Sequence, residues 1–188
     1  MADYKVNTTC WTSRSEIPNQ VRMNRSNTSV KGQIHFRHQF LVGNLLNYRD
    51  SLKDRFYNKP ALIPDMPWKD NVPPAAPSAL TGTRYGADSV VLSWTKPPAT
   101  TNELDKVKRF VIYRSENPVV DLNDANNIIA ITPFDTTAFK DATIFGNIIY
   151  YYTVTALDRL YNESISSNTF QSPVGPLPFH FFHFLFYR

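Results

Sequence analysis

Cysteine is nearly absent from this 188-residue chain. Cys10 stands alone, so no internal disulfide can form and no zinc site can be assembled on thiolates, which leaves stability to packing. Long apolar runs are missing as well. No stretch reaches the roughly 20 apolar residues of a membrane-spanning helix. The N-terminal Met-Ala-Asp-Tyr-Lys-Val-Asn lacks the apolar core of a secretory signal, so the chain as written is expected to have no export route of its own. Four Asn-x-Ser/Thr sequences, at Asn7, Asn24, Asn27 and Asn162, therefore carry no weight as glycan acceptors. Glycine is scarce, with six residues, and neither a phosphate-cradling glycine-rich loop nor a Gly-x-Ser-x-Gly elbow occurs. Nucleotide and serine-hydrolase chemistry are without support.

Charge is divided unevenly. Residues 1–72 hold 11 Lys and Arg against 6 Asp and Glu, residues 73–170 hold 8 against 10, and the last stretch holds only Arg188. The basic residues of the first region are scattered, as on a solvated surface, and no nucleic-acid partner is expected. The change in composition near Pro73 fits two small regions rather than one large domain.

What the chain does have is strand periodicity in its second half. Apolar side chains alternate at Val90, Leu92 and Trp94, and again at Tyr150, Tyr152, Val154 and Ala156, which sends each set to one face of a strand. Strands are expected at about 79–84, 88–95, 109–115, 127–132, 138–141, 148–157 and 163–170, the count of an all-β sandwich. Trp94 and Tyr150 are expected in its core. The first half reads differently, as a helix over 13–24 with Ser at its cap, a strand over 30–37, and a helix over 45–57 with Leu45, Tyr48, Leu52 and Phe56 on one stripe. One strand and two helices cannot cover their own apolar faces, so this is a partial α/β arrangement. Six prolines between Pro60 and Pro77 enforce an extended, non-helical path and predict a stiff connector. Residues 171–188 end in the aromatic run Phe179-His-Phe-Phe-His-Phe-Leu-Phe-Tyr-Arg188. That tail is too short to span a bilayer, lacks the basic face of a membrane-surface anchor and is expected to be disordered or non-native.

Histidine pairs offer little. His35 and His38 are three residues apart, which puts them on opposite faces of a strand, and no carboxylate is placed as a third ligand. His180 and His183 lie in the tail. No metal and no cofactor is expected.

Several motifs carry a resemblance to a known family. Ala2-Asp-Tyr-Lys-Val6, Trp11 with Ser15-Glu-Ile-Pro-Asn-Gln20, Asn24-Arg25, Gly32-x-Ile34-x-Phe36 and Tyr57-x-x-Pro60-Ala-Leu-Ile-Pro64 with Met66-x-Trp68 resemble the end of the catalytic barrel in the bacterial glycosyl-hydrolase-like family ten. The sequence Val90-Val-Leu-Ser-Trp94, with the Tyr150 strand and Ala156-Leu-Asp-Arg-Leu-Tyr-Asn-Glu-Ser164, is similar to a fibronectin type III domain. The resemblance implies a mixed fold, with βα units from the end of a (β/α)8 barrel (residues 1–59), a proline-rich linker (60–77) and a fibronectin type III or immunoglobulin-like sandwich (78–170). It further implies that residues 30–37 are the eighth barrel strand and that six preceding βα units are absent. Tyr4, Lys5 and Trp11 would then line the loop after the seventh strand, where aromatic faces stack on sugars and a lysine bonds hydroxyls. Tyr150 would make the tyrosine corner. The partners implied are a glycan or cell-envelope polysaccharide and the missing barrel segment, in an exported or envelope-associated parent. Beyond the family pattern, Phe36-Arg37-His38-Gln39-Phe40 is bulky and basic where members have small or hydroxyl residues.

Glycoside cleavage needs two carboxylates flanking the bond, and barrel enzymes set them at the carboxyl ends of different strands. Of Asp3, Glu16, Asp50, Asp54, Asp65 and Asp70, only Asp3 falls near an expected strand end. No catalytic pair is present. The expectation is a non-catalytic C-terminal piece of a polysaccharide-acting hydrolase whose sandwich is a spacer or a weak carbohydrate binder. The alternative is a free-standing interaction module that binds proteins through the sandwich edge.

Overall fold

A computed structural model describes residues 12–30, 32–35 and 38–175. The chain divides into two compact units, residues 1–59 and 60–188.

Within the first unit, helix α1 spans Glu16–Ser26 and buries Pro18 and Val21. Pro18 lies in its first turn, where a missing N–H costs nothing. Ser15 occupies the cap position without a side-chain bond, and the Ser13 hydroxyl instead accepts from the Ser15 N–H at 3.2 Å. A short helix α2, His38–Val42, follows. The expected long helix from Leu45 is broken. Asn44, Leu46 and Asn47 are left-handed, Leu45–Asn47 forms a 3-10 turn, and α3 covers only Tyr48–Arg55. The Asn44 side chain accepts from the Asp50 N–H at 3.3 Å and donates to its carboxylate at 2.7 Å, a local bonding pattern that competes with helix. Arg22 and Arg25 lie over the Phe56 ring, 5.5 and 5.3 Å from its centroid.

The strand expected over residues 30–37 does not form among its described members. Residues 32–35 are irregular and Ile34 is 97% exposed. A strand needs a neighbour to take its N–H and C=O groups, and this unit offers none among the described residues. Val21 and Leu52 are its only fully buried large apolar side chains there.

The second unit is a two-sheet sandwich. One sheet has the order β1-β2-β5, built from Ser78–Tyr85, Ser89–Thr95 and Ala138–Asp141. The other has the order β4-β3-β6-β7, built from Ile128–Pro133, Arg109–Ser115, Tyr151–Leu157 and Phe170–Gln171. All pairings are antiparallel. Three strands facing four, in this order, define a fibronectin type III or immunoglobulin-like sandwich. Its core between the sheets is Leu80, Val90, Leu92, Trp94, Phe110, Ile112, Ile144, Tyr150, Tyr152, Val154 and Ala156, the two alternating sets of the sequence meeting face to face.

A second cluster lies on the outer face of the four-stranded sheet, where Val111, Tyr113, Ile128 and Leu157 pack with Leu62, Val120, Leu122 and Tyr161. Leu62 belongs to the proline-rich segment, so residues 60–77 are not a free connector. Pro74 and Pro77 are buried, and the Asp70 carbonyl accepts from the Asn162 side chain at 3.2 Å. This cover explains why β3 is buried on both faces from Phe110 to Tyr113 instead of alternating.

The last expected strand is largely replaced by serine side chains. Ser164, Ser167 and Ser172 donate their N–H groups to the carbonyls of Ala156, Val154 and Tyr150, and their hydroxyls accept from the N–H groups of those same residues at 2.9, 3.1 and 3.1 Å. The edge of β6 is thereby satisfied with only a two-residue ladder at β7 and an isolated bridge between Leu157 and Glu163.

Candidate functional site

Three features of the described residues hold chemistry. In the first unit, a chain of polar side chains runs from α1 to α3. Asn24 donates to the Gln33 carbonyl oxygen at 3.2 Å. The Gln33 amide nitrogen lies 2.5 Å from the Tyr57 hydroxyl and 2.9 Å from His35 Nε2. His35 Nδ1 is bonded to the Tyr48 hydroxyl. Gln33 thereby links Tyr57 to His35, and His35 links Gln33 to Tyr48. Burial, and secondarily the neighbouring Tyr57, push the Tyr48 phenol above its ordinary value. This set of five side chains contains no carboxylate. It offers hydrogen bonds to hydroxyl groups but no acid–base pair.

In the sandwich, Asp141 at the end of β5 joins the two sheets and is 3% exposed. Its carboxylate accepts from Arg114 Nη1 at 2.7 Å, from the Tyr152 hydroxyl at 2.9 Å, and from the Thr143 N–H and hydroxyl at 2.9 and 2.7 Å. Burial pushes this carboxyl up, but the Thr143 bonds and the Arg114 charge together outweigh it and hold it below the usual carboxylate range. The same burial, reinforced by the Asp141 charge, drives the Tyr152 phenol far up. Arg114 also lies over the Tyr150 ring, 4.8 Å from its centroid. Four donated bonds leave Asp141 saturated, as suits a fastening and not a reacting group.

At the end of the sandwich where β2 leaves and β3 enters lies a groove of about 490 Å³, lined by Pro73, Lys96, Pro97, Lys106, Lys108, Phe110 and Phe134 among others. The Trp94 backbone N–H bonds the Thr137 carbonyl at 3.0 Å, and the Lys108 backbone N–H bonds the Leu157 carbonyl at 2.8 Å. The second bond ties the wall at Lys108 to β6. Lys96 Nζ sits 5.3 Å from the Phe134 ring centroid. Sequence reading missed this site. Its signal was the concentration of Lys96, Lys106, Lys108 and Arg109 in one stretch of an otherwise acidic region, whereas the exposure of Phe134 has no mark in the sequence.

Of the residues singled out from sequence, Trp94 and Tyr150 are 5% and 4% exposed in the sandwich core, and Trp94 meets Phe110 edge to face at 5.6 Å. Tyr4, Lys5 and Trp11 lie outside the described residues, as do Asp3, Phe36, Arg37 and most of the aromatic tail. His35 is engaged as above, while His38 is exposed at the start of α2. No cluster of three metal-ligating side chains occurs among the described residues, and no described helix is long and apolar enough to cross a membrane.

No protein-family model matches the chain. It is a distant homologue of the glycosyl hydrolase YngK of Bacillus subtilis (strain 168), 33% identical over 171 residues. The match takes in 88% of this chain and 32% of that protein, so the chain spans about a third of its relative's length. Among solved structures, a fibronectin type III-like protein from Clostridium thermocellum is similar at 20% identity, covering 56% of this chain and 98% of that one with a TM-score of 0.42. Titin domains A168–A170 are similar at 17% identity over 55% and 32% of the two chains, with a TM-score of 0.44. The sandwich assignment stands on the strand order itself.

Proposed function

We propose that this chain is a non-catalytic C-terminal part of a polysaccharide-acting glycoside hydrolase, in which the sandwich spaces or docks a barrel and adds weak affinity for carbohydrate. The observation that carries this reading is the 33% identity that runs through 88% of the chain, and hence through both units, to a glycosyl hydrolase. In the same reading Tyr4, Lys5 and Trp11 contact sugar in a complete barrel, and the preceding part of that barrel is the natural partner of residues 1–59.

The carboxylates favour a supporting role. Glycoside cleavage needs one carboxyl kept protonated by a raised pKa and a second, ionised one across the bond. Three described carboxyls are shifted clearly, and all three are held low: Asp50 by Arg49, Glu103 by Lys106, and Asp141 by the partners given above against its burial. Glu16 accepts from Gln20 at 2.8 Å within α1.

The test is to incubate the purified chain with a panel of plant, fungal and bacterial-envelope polysaccharides, measuring both released reducing ends and co-sedimented protein. Sedimentation with at least one polysaccharide and no reducing ends is the expected result. Reducing ends that disappear on substituting a carboxylate such as Asp50→Asn would overturn the non-catalytic reading. No sedimentation with any polysaccharide would leave the sandwich a spacer only.

A further inference from the structure

We infer that the groove beside the proline-rich segment is a binding site for an acidic polysaccharide, with Lys96 and Lys108 meeting carboxylates and Phe134 carrying the face of a sugar ring. The inference rests on the polysaccharide-acting reading and narrows its substrate class.

Charge is the first argument. Residues 73–170 carry more acids than bases, yet the lining of this groove holds three lysines against Asp105. Lys106 is taken up by Glu103 and Asp105 accepts from Asn102 at 2.9 Å. Lys96 and Lys108 are exposed, and neither forms an ion pair among the described residues. The Lys96 ammonium lies against the Phe134 ring and the Lys108 charge acts on Glu103, yet neither is held in an ion pair, and two such groups at the mouth of an apolar cleft concentrate field lines there and attract an anion.

The second argument is shape and the available bonding. The ring of Phe134 is 54% exposed and forms an apolar wall with Pro73 and Pro97, a surface suited to the C–H face of a sugar. The strands behind the groove are β2 and β3, each interior to its sheet. Their backbone groups are already paired, so an extended peptide cannot add to either of these two strands. The charged and aromatic side chains of the groove are the kind that hold a polysaccharide.

The third is preorganisation. The loop between β2 and β3 is braced by Asn102, whose backbone N–H bonds the Thr100 hydroxyl at 3.2 Å and whose side-chain oxygen Oδ1 accepts from the Leu104 N–H at 3.1 Å. A ligand then costs little loop ordering.

The experiment is calorimetric titration of the full chain with a β-1,4-linked oligoglucuronate, the oligoglucose of the same linkage and length, and inorganic polyphosphate. Oligoglucuronate is expected to bind, with affinity falling as salt rises, and oligoglucose about tenfold or more weaker, the loss of two partly screened charge contacts. Joint K96A and K108A substitution is expected to remove that preference. F134A is expected to weaken oligoglucuronate severalfold while leaving its salt dependence unchanged. Because all three residues are exposed, the variants keep the fold, which an unchanged thermal transition checks. Polyphosphate binding as tightly as oligoglucuronate would reveal a generic polyanion surface and overturn the assignment. Equal binding of both sugars that ignores the lysine variants would also overturn it while leaving general carbohydrate affinity standing. Failure of every sugar to bind would remove both.

Discussion

At the scale of single residues, the side chain with the most consequence is Asp141. It is nearly inaccessible and receives bonds from Arg114 on β3, Tyr152 on β6 and Thr143 just beyond β5, so one carboxylate fastens the two sheets together. Removing it leaves a part-buried guanidinium and a buried phenol without their partner. Asp141→Ala is therefore expected to cost about 3–5 kcal/mol, the range for breaking one side of a buried ion pair. Its pH signature has a definite sign. The folded carboxyl lies below its ordinary value, so the stabilisation is complete above the unfolded value near 4 and is lost as pH falls through the lower folded value. Urea titrations of the wild type at neutral pH and at successively lower pH check this. A wild-type acid loss equal to that of Asp141→Ala would sink the assignment. Nothing in the sequence marks Asp141, because a lone aspartate at a strand end looks like a turn residue. Trp94 and Tyr150 were legible because their alternation with Leu92 and Tyr152 fixes which face they share.

At the scale of elements, the close approach of β1 and β7 sets a second prediction. A Cβ on Gly82 would stand 2.5 Å from the ring of Phe170, an overlap no rotamer of Ala relieves. Gly82→Ala is expected to destabilise the sandwich by about 1–3 kcal/mol. In the Phe170→Ala background the same change should cost less, and a double-mutant cycle with no coupling would show that the two do not meet. Five strands lie within a residue or two of their positions expected from alternation. The two that differ do so for a common reason, since alternation reports which side chains face inward and not which backbone groups are bonded. Tyr150 faces the core but its N–H goes to the Ser172 hydroxyl, so β6 begins at Tyr151. The segment after Glu163 reads as a strand, but its serines bond β6 through their side chains. The helix expected from Leu45 likewise starts late because Asn44 engages Asp50 in a way that helical periodicity does not register.

At the scale of the whole molecule, the two units differ in what can hold them. Ordering a residue costs about 1–2 kcal/mol of backbone entropy, and burying an apolar side chain returns about 1.5–3 kcal/mol. The sandwich has eleven residues in its main core cluster and a second cluster closed by Leu62. Residues 1–59 show only Val21 and Leu52 as fully buried large apolar side chains among the described positions, while Ile34, Val42 and Leu45 face outward. That contrast was legible as an α/β arrangement too small to cover itself. Leu62 was not, because proline content predicts an extended path without saying what the path lies against. Residues 60–175 expressed alone are expected to unfold in one cooperative transition, with a urea slope of about 1–1.5 kcal/mol/M for a domain of this size. Residues 1–59 alone should show no cooperative transition and little protection from hydrogen exchange. Starting the sandwich at Ser78 instead, so that Leu62 and Asp70 are lost, should lower its midpoint by uncovering Val111, Tyr113 and Leu157. An unchanged midpoint would mean that the proline-rich segment adds nothing to the sandwich, and a cooperative transition in residues 1–59 would mean that three short helices and a network of polar side chains suffice to fold them.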